Sequence, residues 1–173
     1  MKNREGFGSL LNKLQLNGYG AELGVARGFF STTLLKTSKL KILFSIDRWN
    51  DRHDYKEYLQ ASKVLSSFRE RSVIIKLPFE EAVHLFANES FDFIYIDGYA
   101  HTGQDEGRIL REWWPKVKVG GIFAGHDYSP AWPKTIEEVD KFEASHPHVK
   151  IKFTKEIEGQ GGYPSWYCLK SSS

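Results

Sequence analysis

The stretch AELGVARGFFS, residues 21–31, decides how this sequence folds. It starts with residues typical of a buried strand, continues through a turn that contains Gly24 and Gly28, and ends in a pattern that favours a helix. Gly24 allows a sharp backbone turn close to a ligand, and Gly28 opens a helix whose free N–H groups suit anions and hydrogen-bond acceptors. A glycine pair also fits an ordinary turn, so the nature of any ligand depends on the rest of the sequence.

Short apolar runs typical of buried strands recur along the chain, and helical patterns fill the spaces between them. The predicted strands are YGAEL (19–23), KILFSI (41–46), SVIIKL (72–77), FDFIYI (91–96) and GGIFAGH (120–126). Sequential strands joined by helices must run parallel with right-handed crossovers. We therefore expect an α/β fold: a doubly wound, Rossmann-like, mostly parallel sheet with helices on both faces, formed by residues 1–173 as a single domain.

The last third of the chain departs from this alternation. HVKIKFTKEI (148–157) and SWYCLK (165–170) flank the turn segment EGQGGYP. Two strands joined by a short turn are antiparallel, so we expect a C-terminal antiparallel hairpin at one edge of the sheet.

The composition of the chain argues against two classes of binding partner. The chain has 173 residues, with 24 Lys and Arg against 22 Asp and Glu, and the resulting net charge of +2 gives no field that favours nucleic acid or an anionic membrane. The lone Cys168 cannot form an internal disulfide, and the first fifteen residues are too polar for a signal peptide or a membrane span. We therefore expect a cytoplasmic protein with neither of these partners.

The segment FSIDRWND (44–51) supplies the first argument for a ligand. It ends the second predicted strand with Asp47, an acidic side chain that can accept hydrogen bonds from both hydroxyls of a ribose. Trp49 either stacks against an adenine or packs on the following helix. This pattern predicts a nucleoside ligand.

The residues of the turn indicate which class of nucleoside ligand can bind there. Where a dinucleotide-binding turn needs a middle glycine, this turn has Ala26, and the bulky Arg27 precedes the helix. Glu22, two residues before Gly24, would repel phosphates but suits an ammonium or sulfonium group. S-adenosylmethionine carries both of these groups, which makes it the expected cofactor.

Four motifs together carry a family resemblance. ELGVARGFFS, SIDRWND, FIYIDGYAHTGQ and GGIFAGHDY, within about residues 19–128, resemble class I S-adenosylmethionine-dependent methyltransferases. More narrowly, they are similar to the small-molecule O-methyltransferases that include macrolide-sugar and other natural-product enzymes. The resemblance implies methylation of a hydroxyl on a small molecule, such as a sugar or natural product. The candidate cofactor-binding residues are Glu22, Gly24, Gly28, Asp47, Trp49 and Asp97.

Acidic and imidazole side chains at two strand ends are candidates for the chemistry. Asp97 follows the fourth strand, and His126 and Asp127 follow the fifth, so all three should lie on the same rim of the sheet. The metal-dependent relatives use an acid where this chain has Asp97 and an acidic pair at the later positions. The resemblance therefore implies Mg²⁺ or another divalent cation held by Asp97, Asp127 and His126. The alternative is a metal-free base, either His101 or His126, and we favour it because a histidine replaces one acid.

Other readings of the sequence remain open. One is a domain that binds S-adenosylmethionine without catalysis, and another is an NAD(P)-dependent oxidoreductase on a related fold. An aryl methyltransferase of the catechol type would have Asn after the fifth-strand acid, where this chain has Tyr128.

The expected acceptor pocket is aromatic, and several other residues receive ordinary roles. The aromatic candidates are Tyr99, Tyr128, Trp132 and Tyr163. We assign no site role to His53, His84, His146 and His148, which should lie away from the rim. Trp113 and Trp114 have helical spacing, so one is expected in the core, and the second is a candidate for a subunit interface in a homo-oligomer.

Overall fold

A computed structural model describes residues 1–50, 53–98, 105–156 and 162–171. The α-helices are α1 (Phe7–Lys13), α2 (Phe29–Thr37), α3 (Tyr55–Leu65), α4 (Phe79–Ala82), α5 (Arg108–Trp113) and α6 (Pro133–Ser145). The strands are β1 (Tyr19–Leu23), β2 (Ile42–Asp47), β3 (Ser72–Lys76), β4 (Phe91–Ile96), β5 (Val117–Gly125), β6 (Lys152–Phe153) and β7 (Trp166–Leu169). Short 3-10 turns include Arg4–Gly6, Ser66–Arg71, Val83–Leu85 and Trp114–Lys116. None of these described helices combines the length and apolar character needed to cross a membrane.

The seven strands of the described residues lie in one sheet in the order β3-β2-β1-β4-β5-β7-β6. Strands β1 to β5 pair in parallel, and β7 pairs antiparallel with both β5 and β6. The winding reverses between β1 and β4, because β2 and β3 extend the sheet on one side and β5 on the other. This topology confirms the predicted doubly wound sheet with an antiparallel C-terminal edge.

The first strand of the C-terminal hairpin is much shorter than its sequence pattern predicts. Only Lys152 and Phe153 form β6. Beyond them, the Thr154 N–H donates to the Ser165 carbonyl at 2.9 Å, and the Lys155 N–H donates to the carbonyls of Met1 and Lys2 at 3.1 Å. The chain therefore leaves the strand to pair with the N-terminal residues, a contact that the local pattern does not encode.

The core has two halves, one on each face of the sheet. Helices α1, α2 and α3 cover one face with residues that include Phe7, Leu34 and Ala61, and α4, α5 and α6 cover the other. Trp113 is fully buried, and Trp114 packs against the rings of Phe123 and Phe142 at 5.6 and 5.1 Å. Both tryptophans thus pack within the chain, but Trp114 is only half-buried, and its role in a subunit interface stays a prediction.

A buried polar network joins the first two strands to α2. The Ser31 hydroxyl donates to Glu22 and lies 2.8 Å from the Ser45 hydroxyl, and all three side chains are buried. Burial raises the pKa of Glu22 to about 8, because the hydrogen bond from Ser31 and the charge of Arg4 oppose desolvation only in part. Without a cationic ligand, Glu22 is therefore largely protonated at neutral pH.

This network predicts a pH-dependent gain in stability for Glu22→Gln. An unfolded glutamate ionises near its ordinary pKa of 4.5, whereas the folded carboxyl keeps its proton up to about pH 8. The wild type should therefore lose up to about 1.4 kcal/mol of unfolding free energy per pH unit as pH rises through this window. Glu22→Gln avoids this loss of unfolding free energy. Urea denaturation of the variant and the wild type at about pH 4, 6 and 8 measures the difference between them.

The matched control is Glu5→Gln, the same change at an exposed position. It should keep the pH dependence of the wild type. A stability difference between Glu22→Gln and wild type that stays constant across the three pH values would contradict the buried, protonated carboxyl.

Candidate active site

The turn after β1 has a backbone that only glycine can adopt at its first position. Gly24 has a φ of +96°, and a Cβ atom there would lie 2.1 Å from the carbonyl oxygen of Asp97 and 2.4 Å from the Cα of Gly98. Gly28, with a φ of +78°, is the N-cap of α2. Gly24 therefore lets the end of β1 lie against the end of β4, whereas Gly28 lies against Ala61 of α3.

Asp47 holds this turn in place. Its Oδ2 accepts the N–H groups of Val25 and Ala26 at 2.9 and 3.0 Å, and its Oδ1 accepts that of Trp49 at 3.1 Å. A carboxylate has about four acceptor positions, so these three bonds leave room for one further donor. Asp47 is also only 5% exposed. It lines the first cavity, and its contact with ribose hydroxyls stays a prediction.

Trp49 lies in the core and not in the groove. The side chain is 2% exposed, its ring meets that of Tyr58 on α3 edge to face at 5.1 Å, and its Nε1 donates to the Ala26 carbonyl at 2.8 Å. Of the two roles open at the sequence level, the structure favours packing on the following helix over stacking on adenine. Trp49 therefore stabilises the turn from the core side, through its hydrogen bond to Ala26.

Two adjoining cavities follow the rim where the winding reverses. The first is lined by residues from the ends of β1, β2, β3 and β4, among them Asp47, Pro78, Phe79, Glu80 and Gly98. The second, of about 420 Å³, is lined by residues that include Arg4, Glu22, Phe29, Phe30, Asp97, Asp127 and Trp132. Four residues line both: Gly24, Ala26, His53 and Asp97. Such a groove has the place and size expected for a ligand site in this kind of sheet.

Some groove residues were missed or misplaced by sequence reasoning. His53, expected away from the rim, lines both cavities, and its Nδ1 lies 2.6 Å from Glu57, which also accepts from Arg27 at 2.9 Å. Its position between the end of β2 and the start of α3 was the available signal, because such connections lie on the carboxyl rim. Pro78 and Phe79 follow β3 and gave the same signal.

Asp97, His126 and Asp127 meet at the second cavity. The His126 Nδ1 lies 2.8 Å from Asp127 Oδ1 and 3.3 Å from Asp97 Oδ1. On its other side, Asp97 Oδ2 accepts from Arg4 at 2.5 Å. The two carboxylates line the cavity, and His126 is not among its lining residues. The sequence brought these three residues to one rim, and the structure shows them in direct contact.

The charges in this cluster support one another. Burial lowers the pKa of His126, but the hydrogen bonds and charges of Asp127 and Asp97 raise it, for a net value of about 9. Burial raises the pKa of Asp97, yet His126 and Arg4 together bring it below its usual value. Near neutral pH the imidazole is therefore protonated, so it supports two carboxylates and is poorly suited to be the base itself.

The same three side chains fit a divalent cation. They offer two carboxylate oxygens and one imidazole nitrogen, and these atoms lie within 4.8 Å of one another. Carboxylate oxygens suit hard cations, and the imidazole nitrogen suits softer ones. A cation bound by all three would have to displace the proton of the His126 Nδ1, since that nitrogen faces both carboxylates.

Of the remaining predicted site residues, some line the groove, some lie near it, and some fall outside the described residues. Trp132 lines the second cavity, whereas the Tyr128 hydroxyl donates to Asp140 of α6 at 2.8 Å. The ring of Tyr163 lies 6.5 Å from that of His126. The predicted base His101 and the aromatic Tyr99 lie outside the described residues.

Comparison of the structure with solved structures finds the same fold. It is similar to an O-methyltransferase from Bacillus cereus in complex with SAH (TM-score 0.73, 15% identity, 96% of this chain and 80% of that chain). It is also similar to cofactor-bound Rv0187 from MTB (TM-score 0.77, 12% identity, 98% and 80%) and to an rRNA methylase from Streptococcus thermophilus (TM-score 0.70, 14% identity, 96% and 95%). Identities this low establish the fold alone.

Comparison of the sequence establishes the family. No curated protein sequence matches the chain significantly. Residues 21–128, however, match the family described as "Methyltransferase domain". The match covers more than half of the chain and runs from the end of β1 to the residues just after β5, including Asp127. The chain therefore belongs to the methyltransferase-domain family and is an S-adenosylmethionine-dependent methyltransferase.

Proposed function

We propose that this methyltransferase transfers the methyl group of S-adenosylmethionine to a hydroxyl oxygen of a small molecule. The observation that carries the proposal is the pair of carboxylates, Asp97 and Asp127, that line the second cavity and share the Nδ1 of His126. A hydroxyl is a weak nucleophile until it loses its proton, and a positioned carboxylate can accept that proton.

The groove residues fit the two ends of the cofactor. Asp47 offers a remaining acceptor position for a ribose hydroxyl, and Pro78 and Phe79 offer apolar surface for the adenine in the first cavity. In the second cavity, the acids Glu22 and Asp97 suit the sulfonium and ammonium groups. The nucleoside therefore lies in the first cavity and the methionine end in the second.

The reacting hydroxyl lies beside the carboxylates in this arrangement. His126 donates through Nδ1, holds both carboxylates in position and favours the ionised form of Asp97. Asp127, which lines the cavity, is then placed to accept the hydroxyl proton as the methyl group transfers. A divalent cation bound by Asp97, Asp127 and His126 would lower the pKa of the acceptor hydroxyl. The side chain of Asp127 is needed in either case.

The surroundings of the second cavity support a small acceptor. Phe29, which is 68% exposed, and Trp132 offer aromatic surfaces that suit a sugar or a ring. The single seven-stranded sheet supports one domain over residues 1–173, and the free, buried Cys168 is compatible with a cytoplasmic enzyme. These two assignments, and assembly into a homo-oligomer, remain predictions.

Hydroxyl acceptors should be methylated in preference to other classes. The purified protein with S-adenosylmethionine should release S-adenosylhomocysteine faster when catechol or methyl glucoside is added, because the carboxylates can take up the hydroxyl proton. Aniline and a short RNA should leave the release at the acceptor-free rate. Chromatography of S-adenosylhomocysteine measures all arms. Turnover of RNA or aniline with none of the hydroxyl probes would reject the proposed acceptor class.

Asp47→Ala should weaken S-adenosylhomocysteine binding by about 1 to 3 kcal/mol, the range for leaving buried hydrogen-bond donors unpaired. The variant loses both the ribose contact and the bonds that hold Val25 and Ala26. Calorimetric titration measures the affinity. Asp54→Ala, which removes the N-cap of α3 nearby, is the control and should bind as the wild type does. Unchanged affinity in Asp47→Ala would place the nucleoside elsewhere.

Asp127→Asn should lower methyl transfer to the most active hydroxyl probe by about 100-fold or more, the scale of general acid–base catalysis. Its affinity for S-adenosylhomocysteine should stay close to that of the wild type, because Asp127 acts on the acceptor. Asp140→Asn, which alters a carboxylate bonded to Tyr128 outside the groove, is the matched control. Wild-type activity in Asp127→Asn would rule out a catalytic role.

The same methyl-transfer assay distinguishes a cation-assisted mechanism from a metal-free one. Loss of activity with a chelator indicates a cation, and retention indicates a metal-free base, which is a carboxylate or a histidine. If neutral His126 were the base, activity without metal would increase as pH rises through about 9, because only the neutral ring accepts a proton.

A further inference from the structure

Arg4 reaches the second cavity from the N-terminal 3-10 turn. Its Nη1 donates to Asp97 Oδ2 at 2.5 Å, and its guanidinium carbon lies 5.0 Å above the ring of Phe30. Phe7, three residues on, is fully buried and anchors this segment against the rings of Phe93 and Tyr95. The guanidinium is therefore held in one place, although the sequence separates it from Asp97 by most of the domain.

The cavity offers both signs of charge in a small space. Glu22, Asp97 and Asp127 supply acidic groups; Arg4 pairs with Asp97, and its charge also acts on Glu22. Arg27 also lines the cavity, but it is exposed and pairs with Glu57 at 2.9 Å on the outer side. Arg4 is thus the guanidinium placed beside the inner acids.

This pairing matches the chemistry of an amino acid. The methionine end of S-adenosylmethionine carries an ammonium and a carboxylate on the same carbon. The acids suit the ammonium, and the carboxylate needs a cationic donor. A guanidinium has five N–H donors in a planar fork, and Arg4 remains 32% exposed after it pairs with Asp97. Phe29 and Phe30, the first two residues of the nine-residue helix α2, border the same cavity. The positive end of the helix dipole therefore lies at this cavity and favours an anion.

We propose that Arg4 binds the α-carboxylate of the methionine end of S-adenosylmethionine, so that the N-terminal segment completes the cofactor site. The inference rests on the position of the methionine end in the second cavity, as given under the proposed function. It assigns to Arg4 a role in cofactor recognition, distinct from the transfer chemistry of Asp127.

The test compares two ligands that differ only in the carboxylate. S-adenosylhomocysteine has it, and S-(5′-adenosyl)-3-thiopropylamine keeps the ammonium but lacks it. Calorimetry should show that Arg4→Gln binds S-adenosylhomocysteine about 10- to 100-fold more weakly than wild type does, as expected for loss of a charged hydrogen-bond partner. Binding of the propylamine should change little. Arg4→Gln should therefore lose the preference of the wild type for S-adenosylhomocysteine over the propylamine.

Two further variants sharpen the comparison. Arg4→Lys keeps a positive charge without the planar fork and should recover part of the preference. Lys2→Gln removes a charge from the same segment at an exposed residue and should bind both ligands as the wild type does. Thermal unfolding of each variant confirms that it is folded before the titrations.

Each contrary outcome has a separate meaning. Equal weakening of both ligands by Arg4→Gln would overturn the inference, because Arg4 would then act only through Asp97 or the fold. Unchanged or tighter binding of S-adenosylhomocysteine would overturn it as well, the latter by showing that Arg4 obstructs the cavity. Wild-type protein that binds neither ligand would overturn the proposed function together with this inference.

Discussion

The close approach of two backbones at the centre of the sheet is the constraint on which the site depends. Where β1 and β4 end side by side, Gly24 has no side chain, and the carbonyl of Asp97 occupies the space that a Cβ would need. The N–H of Asp97 also donates to the Leu23 carbonyl at 2.7 Å. This contact places the glycine turn and the carboxylate of Asp97 within one groove.

Around that contact, the protein balances buried charges in two different ways. Asp97 keeps its charge because His126 and Arg4 lie against it, so that opposite charges offset its desolvation. Glu22, which accepts a hydrogen bond from the Ser31 hydroxyl, instead holds its proton because its burial outweighs that bond. The inner groove therefore remains close to neutral without a ligand, while its acids are in place for a cationic one.

The chain ends contribute more to this site than the strand pattern suggests. The N-terminal segment places Arg4 on Asp97 and extends to Lys155, whose N–H donates to its carbonyls. The C-terminal strand β7 pairs with β5 and holds Gly125 against Trp166, just before His126. Elements from both ends of the sequence therefore hold the two strand ends at which Asp97 and His126 lie.

By itself, the sequence determined the parallel sheet, the glycine turn and the rim on which Asp47, Asp97, His126 and Asp127 lie, because strand periodicity and connection rules act locally. Tertiary structure decided what each side chain does there. Asp47 serves the turn amides, Trp49 enters the core, and His126 is protonated between two acids. These outcomes depend on burial and on partners distant in sequence, as the pairing of Arg4 with Asp97 shows, and no local pattern encodes either.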